Sequence, residues 1–236
     1  MKIGLFADSH YCKVDIKCTN RRPSLSYDKI QAAMSCFKEQ QAELIICLGD
    51  LVDKDINEIE DKRNLTEIGE LIKSYGIRCV CCMGNHDAHM FDKGSFENLS
   101  GLKVAPLTIV ADNKRLILLD ANYRNDGTAY NRKNTDWTDS NIPPEQLEWL
   151  KYVLSTCKEE KIYIFVHQNL DPAVEQNHII KNAAEIRRTL ADDGRIVAVY
   201  QGHYHPGADN TNNGIRYITL RAMCEGTENN NSLINI

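Results

Sequence analysis

Short hydrophobic runs recur along the chain, and five of them are followed closely by an aspartate, an asparagine or a histidine. The runs cover residues 3–7, 44–48, 77–83, 162–166 and 196–200. Apolar runs of this length are typical of strands buried in a parallel sheet. The polar residues that follow them are Asp8, His10, Asp50, Asn85, His167, His203 and His205. Because sites in open α/β sheets lie at the carboxyl ends of the strands, we expect these side chains to converge.

Between the first three runs, the apolar residues repeat at the helical period. The apolar residues at 30, 33, 34 and 37 share one helical face, which predicts a helix that begins near Ser26. The same spacing predicts a second helix within residues 57–75. Two successive strand–helix–strand units predict a parallel sheet with right-handed connections.

The second half of the chain mixes further strands and helices. Residues 104–111 and 115–120 are predicted to form a hairpin or adjacent strands, because the turn-forming stretch Asp112-Asn113-Lys114 joins them. Helices are predicted from Pro143 and over residues 178–190. Further strands are predicted over residues 161–166, 195–200, 215–220 and 232–236.

The segment 121–142 is different in character from the rest of the chain. It is rich in Asn, Asp and Thr and has almost no aliphatic periodicity. An ordered domain rarely carries so long a loop without a use for it, such as a lid or a binding loop. We find no internal repeat and no linker, so we predict one α/β domain over residues 1–236, with two packed sheets and helices outside them.

Composition and charge narrow the class of protein. With 42% hydrophobic and 26% charged residues, the 236-residue chain has the composition of a soluble globular domain. A net charge of −5 argues against a nucleic-acid surface, which needs clustered Lys and Arg, but allows a small phosphorylated substrate. No apolar run approaches the roughly 20 residues of a transmembrane helix, and the first run reaches Asp8 too soon for a signal peptide. We therefore expect a cytoplasmic protein with no membrane partner.

The nine cysteines are interpreted as reduced thiols. Cys47 and the cysteines within residues 79–82 lie in strand-like runs, where free cysteine behaves as a small buried hydrophobe. Their number is odd, and residues 79–82 do not have the spacing of a zinc ribbon. Cys12 and Cys18 lie in a predicted loop, where they face the site or oxidise. The bulk of the cysteines thus indicates a reducing compartment.

The residues at the five strand ends have the chemistry of metal ligands. Together they offer two carboxylates, one amide oxygen and four imidazoles, which is too many for one tetrahedral zinc ion. The set fits two cations that share one carboxylate. Mixed nitrogen and oxygen ligands suit Mn, Fe, Zn or Co better than Ca or Mg. Two such ions about 3.5–4 Å apart can stabilise both the attacking and the leaving oxygen of a phosphoryl displacement.

The motifs also resemble a known family. Asp8-x-His10, Gly49-Asp50-x-x-Asp53, Gly84-Asn85-His86-Asp87, His167 and Gly202-His203-x-His205 are similar, in type and order, to the signature of the calcineurin-like metallophosphoesterases. They span residues 8–205, and no metal-ligand position departs from the pattern. The fold that this resemblance implies is a four-layer α-β-β-α sandwich of two mixed sheets flanked by helices.

The resemblance implies a role for each motif residue. One metal ion would be held by Asp8, His10 and His205, the other by Asn85, His167 and His203, and Asp50 would bridge them. His86 would not be a ligand; it would act as general acid or as a cation beside the transition-state oxygens. Asp53 would orient the imidazole of His86. The nucleophile that the resemblance implies is a hydroxide that bridges the metal ions.

Several of these residues have simpler interpretations. An aspartate at a strand end, such as Asp8 or Asp50, can merely cap a following helix, and Asp53 can belong to a turn. His203 and His205 are predicted to lie on an extended segment and to point the same way. Other polar residues are placed outside the metal site: Asp87 in local hydrogen bonds, His178 in solvent, and His89 either in solvent or beside the site.

Substrate-binding residues are predicted in two loops. The loop of residues 11–25 carries Lys13, Lys17, Arg21 and Arg22 against a single acid, so it either binds phosphate oxygens or is simply solvated. The other candidates are Asn122, Tyr123 and Arg124, just after the strand that ends at Asp120. Tyr11 or Tyr123 would be the residue that stacks on a base.

The substrate predicted is a phosphodiester or a nucleotide pyrophosphate. The chain has Lys54-Asp55 after Asp53, where protein phosphatases of similar sequence have Arg-Gly. The segment from Asp8 to Cys12 and the Arg21-Arg22 pair resemble the manganese-dependent ADP-ribose and CDP-alcohol pyrophosphatases. The alternatives are a phosphomonoesterase that acts on a small molecule, a non-catalytic scaffold of the same fold, and a DNA-repair nuclease.

Overall fold

Eleven strands in two sheets organise the part of the chain that the structure, a computed structural model, describes: residues 1–15 and 19–236. Lys17 and Cys18, which the sequence places in the loop after the first strand, lie outside the described residues. In chain order, the strands are β1 (Lys2–Phe6), β2 (Leu44–Cys47), β3 (Cys79–Cys81), β4 (Lys103–Val104), β5 (Leu107–Ala111), β6 (Lys114–Leu118), β7 (Lys161–Val166), β8 (Ile196–Gln201), β9 (Ala208–Asn212), β10 (Ile215–Thr219) and β11 (Asn231–Asn235).

Both sheets are mixed. The first has the order β11-β1-β2-β3-β4, in which only β11 is antiparallel to its neighbour. The second has the order β5-β6-β7-β8-β10-β9, in which β6, β7, β8 and β10 are parallel and the two outer strands are antiparallel. Hence the carboxyl ends of the central strands of each sheet lie along one edge of it.

The described residues form six α-helices. They are α1 (Ser26–Glu39), α2 (Glu58–Ser74), α3 (Asn85–Met90), α4 (Lys93–Ser100), α5 (Pro144–Thr156) and α6 (Ala183–Asp193). Of these, α1, α2, α5 and α6 pack on the outer faces of the sheets. Asn57 caps α2, because its side chain accepts hydrogen bonds from the backbone N–H groups of Ile59 and Glu60. None of the described helices has the length and apolar character needed to cross a bilayer.

Three apolar layers hold the sandwich together. One, which includes Phe37 and Ile68, lies between the first sheet and helices α1 and α2. The middle layer joins the two sheets and includes Leu5 and Phe165, both fully buried. The third, which includes Leu150 and Ile186, lies between the second sheet and helices α5 and α6. The four-layer α-β-β-α arrangement expected from the sequence is therefore confirmed.

The structure corrects several predicted elements. The helix predicted over residues 178–190 begins only at Ala183, because Ile179 instead pairs as extended backbone with Asn169. Its side chain is buried all the same, which is why it fitted the apolar pattern. Helices α3 and α4 and strand β9 were not predicted, and β9 has no hydrophobic alternation, since its sequence is wholly polar after Ala208.

Candidate metal centre

The carboxyl ends of strands from both sheets meet at one place. Asp8 follows β1, Asp50 follows β2, His167 follows β7 and His203 follows β8, while Asn85 is the first residue of α3. Asp50 lies between the two sheets: its Oδ2 is 3.3 Å from Nε2 of His167 and 3.5 Å from Nε2 of His10. The first sheet therefore contributes residues up to Asn85, and the second sheet contributes the histidines that face them.

All seven predicted ligands are brought together around Asp50. Nε2 of His205 lies 3.2 Å from Nε2 of His10 and 3.8 Å from Oδ1 of Asp8. On the other side, Oδ1 of Asn85 lies 3.3 Å from Nε2 of His167. The potential ligand atoms of Asp50, His167 and His203 lie within 4.8 Å of one another. Asp50 is thus common to two groups of ligand atoms.

The backbone is strained where these side chains are presented. Asp8, His10, Asp50 and His203 have φ angles of 53°, 46°, 49° and 68°. Left-handed backbone is uncommon for residues other than glycine, and such strain clusters at functional sites. The prediction that His203 and His205 lie on an extended segment is wrong, since the chain turns at His203. Their side chains converge through this turn.

Glycines allow the turns to approach one another. A Cβ atom on Gly84 would lie 2.0 Å from Oδ1 of Asp50, and one on Gly49, whose φ is +98°, would lie 2.5 Å from Nδ1 of His167. Any larger residue would displace the carboxylate or the imidazole. The glycines that precede Asp50 and Asn85 are therefore required by packing at the site.

The donor set fits divalent cations. Nδ1 of His10, His167 and His205 faces an acceptor: Asp53 Oδ2 at 3.2 Å, the Leu48 carbonyl at 2.7 Å and Glu225 Oε1 at 2.9 Å. Each Nδ1 therefore carries the proton, and the Nε2 lone pair points into the cluster, as in metal-bound histidines.

His203, the fourth histidine of the cluster, provides separate support for a metal site. Nε2 of His203 is buried without a hydrogen-bond partner among the described residues. Burial lowers its pKa well below the usual value, so the ring is neutral. Buried polar atoms are nearly always satisfied, and a neutral imidazole nitrogen is a metal ligand. A cation held by His203, His167 and Asp50 would satisfy this nitrogen.

His86 and Asp53 form a pair beside this cluster. Oδ1 of Asp53 lies 2.8 Å from Nδ1 of His86, while its Oδ2 faces His10. Burial lowers the pKa of His86, but Asp50 and Asp53 outweigh it and raise that pKa to about 9. The contact with Asp53 thus favours the protonated ring, and 33% of the His86 side chain is exposed.

Asp87, by contrast, has a local role. Its carboxylate accepts hydrogen bonds from the backbone N–H groups of Leu51, Val52 and Gly84. It therefore fixes the turn after Asp50 to the start of α3, which confirms the local hydrogen bonding predicted for it.

A cavity of about 310 Å³ lies beside His86. It is lined by Asp53, Lys54, Asn85, His86, His89, Thr135 and Trp137. His89, whose position the sequence left open, is thus beside the site. The loop 121–142 forms one wall of the cavity through Thr135 and Trp137.

The four predicted substrate-binding residues are not all at the centre. Arg21 lies beside the centre, because its Nε is 4.0 Å from Oε1 of Glu225, which in turn contacts Nδ1 of His205. Arg22 donates to the carbonyl groups of Thr19 and Arg21 in its own loop. Arg124 contacts the Asn134 carbonyl and Asp139, and the Tyr123 hydroxyl accepts from Lys93. Of the four, Arg21 is the residue that the structure brings to the metal centre.

Two predictions about aromatic and histidine side chains are wrong. Tyr11 cannot stack on a base, because it is 4% exposed and its hydroxyl donates to Glu67. His178 is not solvent-facing; its ring centroid lies 5.1 Å from Trp137 and 5.3 Å from His203. Extended backbone pairing at Ile179 brings His178 to the site.

Sequence reasoning missed Glu225 and Trp137. Glu225 follows only the three apolar residues Ala222-Met223-Cys224, a stretch shorter than the strand-like runs, and only the folded chain places it against His205. Trp137 had a signal: it is the one tryptophan within the long polar loop. An exposed aromatic residue there has no core to join, which indicates a contact outside the loop.

The fold and the site together define a class of protein: a four-layer α/β sandwich with carboxylates and imidazoles at the edges of both sheets is a metal-dependent phosphoesterase. The chain belongs to the calcineurin-like phosphoesterase family, whose model matches residues 1–207. It is therefore a hydrolase of a family that uses divalent metal ions.

Individual proteins of similar sequence or structure share less than a quarter of their residues with this chain. CpdA of Escherichia coli K12, a 3′,5′-cyclic adenosine monophosphate phosphodiesterase, is 24% identical over 228 residues, 93% of this chain and 73% of that protein. CpdA of Haemophilus influenzae is 22% identical over 190 residues, 79% of this chain and 63% of that protein. The crystal structure of a dimetal phosphatase from Danio rerio shares the fold, with a TM-score of 0.83 at 20% identity over 98% of this chain and 91% of that one.

Proposed function

We propose that the protein is a dinuclear metal-dependent hydrolase of phosphodiesters or nucleotide pyrophosphates. The observation that carries this proposal is the convergence of six potential ligand side chains on Asp50, one of them a histidine whose buried Nε2 has no partner among the described residues. Seven ligands that share a central carboxylate provide two sites rather than one.

The ligands divide between two ions on either side of Asp50. Asp8, His10 and His205 would hold one ion, and Asn85, His167 and His203 would hold the other. Asp50 belongs to both, because its Oδ2 lies within 3.5 Å of a histidine from each set. Mn, Fe and Zn are the ions that suit this mixture of imidazole and oxygen ligands.

The side chains beside the ions supply charge and proton transfer. When bound, the two cations lower the pKa of water and neutralise charge on the phosphoryl oxygens. His86, whose protonated form is favoured by its contact with Asp53, would stabilise negative charge on the transferring phosphoryl group or donate its proton to the leaving oxygen. Asp53 keeps the imidazole oriented, and Arg21 adds positive charge at the opening of the site.

A diester or pyrophosphate substrate has the better support. The two relatives of similar sequence are named as cyclic-nucleotide phosphodiesterases. The cavity beside His86 also provides room for a second group on the phosphorus. A small-molecule phosphomonoesterase is the second candidate, which the name of the Danio rerio phosphatase favours.

Paired chromogenic substrates test this proposal. The manganese-loaded protein is expected to hydrolyse bis-p-nitrophenyl phosphate with a higher kcat/KM than p-nitrophenyl phosphate. A preference for p-nitrophenyl phosphate would instead indicate a phosphomonoesterase. If the protein bound two metal ions per chain and turned over neither substrate, the scaffold interpretation would hold and the proposal would be overturned.

A further inference from the structure

Trp137 stands at the boundary between the metal centre and the cavity. Its indole centroid lies 5.6 Å from the ring of His203 and 5.1 Å from the ring of His178. The side chain is nevertheless 38% exposed and lines the cavity of about 310 Å³. Part of the indole therefore packs on the site, and part is free to contact a ligand.

Hydrogen bonds hold the loop around Trp137 in place. The Tyr130 hydroxyl donates to the carbonyl of Asp136 at 2.6 Å, and the Thr138 hydroxyl donates to the Asp136 carboxylate at 2.7 Å. Arg124 ties the loop to itself through the Asn134 carbonyl at 2.9 Å and Asp139 at 3.2 Å. Both neighbours of Trp137 are thus fixed, and little ordering of the ring is required when a ligand binds.

The cavity has the size and the lining for a planar group next to a phosphate. Asn85 and His86 form its side toward the proposed ions, and Trp137 and His89 supply aromatic surface. Ligand pockets are commonly about 300–1,000 Å³ and lined largely by apolar and aromatic groups. A phosphoryl group at the metal centre would place its neighbouring substituent against the indole.

We propose that Trp137 determines specificity by stacking on the nucleobase of a nucleoside attached to the scissile phosphate. This inference rests on the proposed function and names the substrate class: nucleotides rather than alkyl or sugar phosphates. Every base has a π-face, so stacking on an aromatic side chain tolerates any base. The site should therefore discriminate strongly for the presence of a base and weakly for its identity.

Two inhibitors that differ only by the base test this inference. In the manganese-loaded protein, with bis-p-nitrophenyl phosphate as substrate, adenosine 5′-monophosphate is expected to inhibit about 10- to 100-fold more strongly than ribose 5-phosphate. Trp137→Ala should reduce this ratio at least tenfold, and Trp137→Phe should retain most of it. Tyr152→Ala removes an aromatic side chain that is 66% exposed on α5, and it should leave the ratio unchanged.

Fluorescence provides a readout that does not depend on turnover. Trp137 and Trp149 are the two tryptophans of the chain, so in Trp149→Phe the emission comes from Trp137 alone. Adenosine 5′-monophosphate should quench this emission at saturation, and ribose 5-phosphate should not.

The outcomes separate this inference from the proposed function. Equal inhibition by the two compounds, or a ratio that survives Trp137→Ala, would overturn the stacking role while diester hydrolysis stood. A failure to hydrolyse any diester would instead remove the proposed function and this inference with it. Equal losses of inhibition by both compounds in Trp137→Ala would mean that the indole only supports the loop, which also contradicts the proposal.

Discussion

At the residue scale, the second contact of each histidine decides what the site can do. In His10, His167 and His205, the Nδ1 atom donates to an acceptor. The Nε2 atom of each ring therefore faces the cluster. Nδ1 of His86 likewise faces Asp53, but this ring is more exposed than the others, at 33% of its side chain, and it lines the cavity. Histidines of one chemical type therefore take two kinds of role within a few ångströms.

The role proposed for His86 predicts a particular kind of defect. His86→Ala should leave the metal content at the wild-type value, because the ring is not a ligand. The rate of diester hydrolysis should fall by roughly 10²–10⁴, the usual scale for lost acid–base catalysis. Metal analysis of the purified variant beside its kinetics checks both parts. Loss of metal from this variant would show that His86 is a ligand.

The contact between Glu225 and His205 predicts that substitution of Glu225 weakens metal binding, in contrast to substitution of His86. Its Oε1 accepts from Nδ1 of His205 at 2.9 Å, which orients the ring and raises its basicity as a ligand. Glu225→Gln should weaken metal binding by about 10–100-fold, the range for lost partners of metal-bound histidines. Activity titrated against manganese measures this shift. Glu228→Gln, an equivalent change at an exposed position nearby, should leave the titration where it is.

The clustering of the proposed ligand residues could be predicted from the sequence, whereas the positions of the residues predicted to bind substrate could not. A ligand that directly follows a buried strand has its position set by the sheet, and apolar runs reveal buried strands. Arg124 and Tyr123 follow a strand too, yet partners elsewhere in the chain, Asp139 and Lys93, decide where their side chains go. No local pattern encodes such contacts, and for the same reason Glu225 was missed.

At the element scale, long apolar runs and helical periodicity located most strands and helices within a few residues. Helix α1 begins at Ser26 as predicted, and α2 lies within the predicted range. The predictions fail where the apolar pattern does not match the secondary structure. Ile179 is buried but extended, and β9 pairs with β10 although its sequence is polar.

The packing of α2 against α4 predicts a contrast between two helical glycines. A Cβ atom on Gly69 would lie 2.3 Å from the carbonyl oxygen of Ser100, whereas one on Gly94 would meet nothing closer than 3.4 Å. Gly69→Ala should therefore destabilise the fold by about 1–3 kcal/mol through overpacking. Gly94→Ala should be neutral or stabilise it by up to about 1 kcal/mol, since alanine favours a helix.

Denaturant unfolding of the two glycine variants measures the contrast. Both lie outside the ligand set, so metal content should stay at the wild-type value in each. Equal stability of the two variants would mean that α2 and α4 do not approach as closely as the structure shows.

At the scale of the whole molecule, the site joins the two sheets. Asp8 and Asp50 come from the first sheet, and His167 and His203 come from the second. Both carboxylates are buried, and burial, with the negative charge of Asp50 added to it, raises the pKa of Asp8 to about 6. Two cations between the sheets would offset that repulsion and hold the edges of the sandwich together.

Removal of metal should therefore lower stability as well as activity. Ions present at about 1,000 times their Kd stabilise a folded protein by about 4 kcal/mol per site. Dialysis against a chelator should lower Tm by several degrees, and addition of manganese should restore it. An unchanged Tm after complete metal removal would mean that the ions do not link the sheets.

The central claim is that Asp50 is shared by two ions, and anomalous diffraction from crystals of the manganese-loaded protein tests it most directly. We predict two anomalous peaks about 3.5–4 Å apart, with the Asp50 carboxylate in contact with both. One peak should adjoin His10 and His205, and the other His167 and His203. A single peak, or two peaks of which one is out of reach of Asp50, would contradict the account.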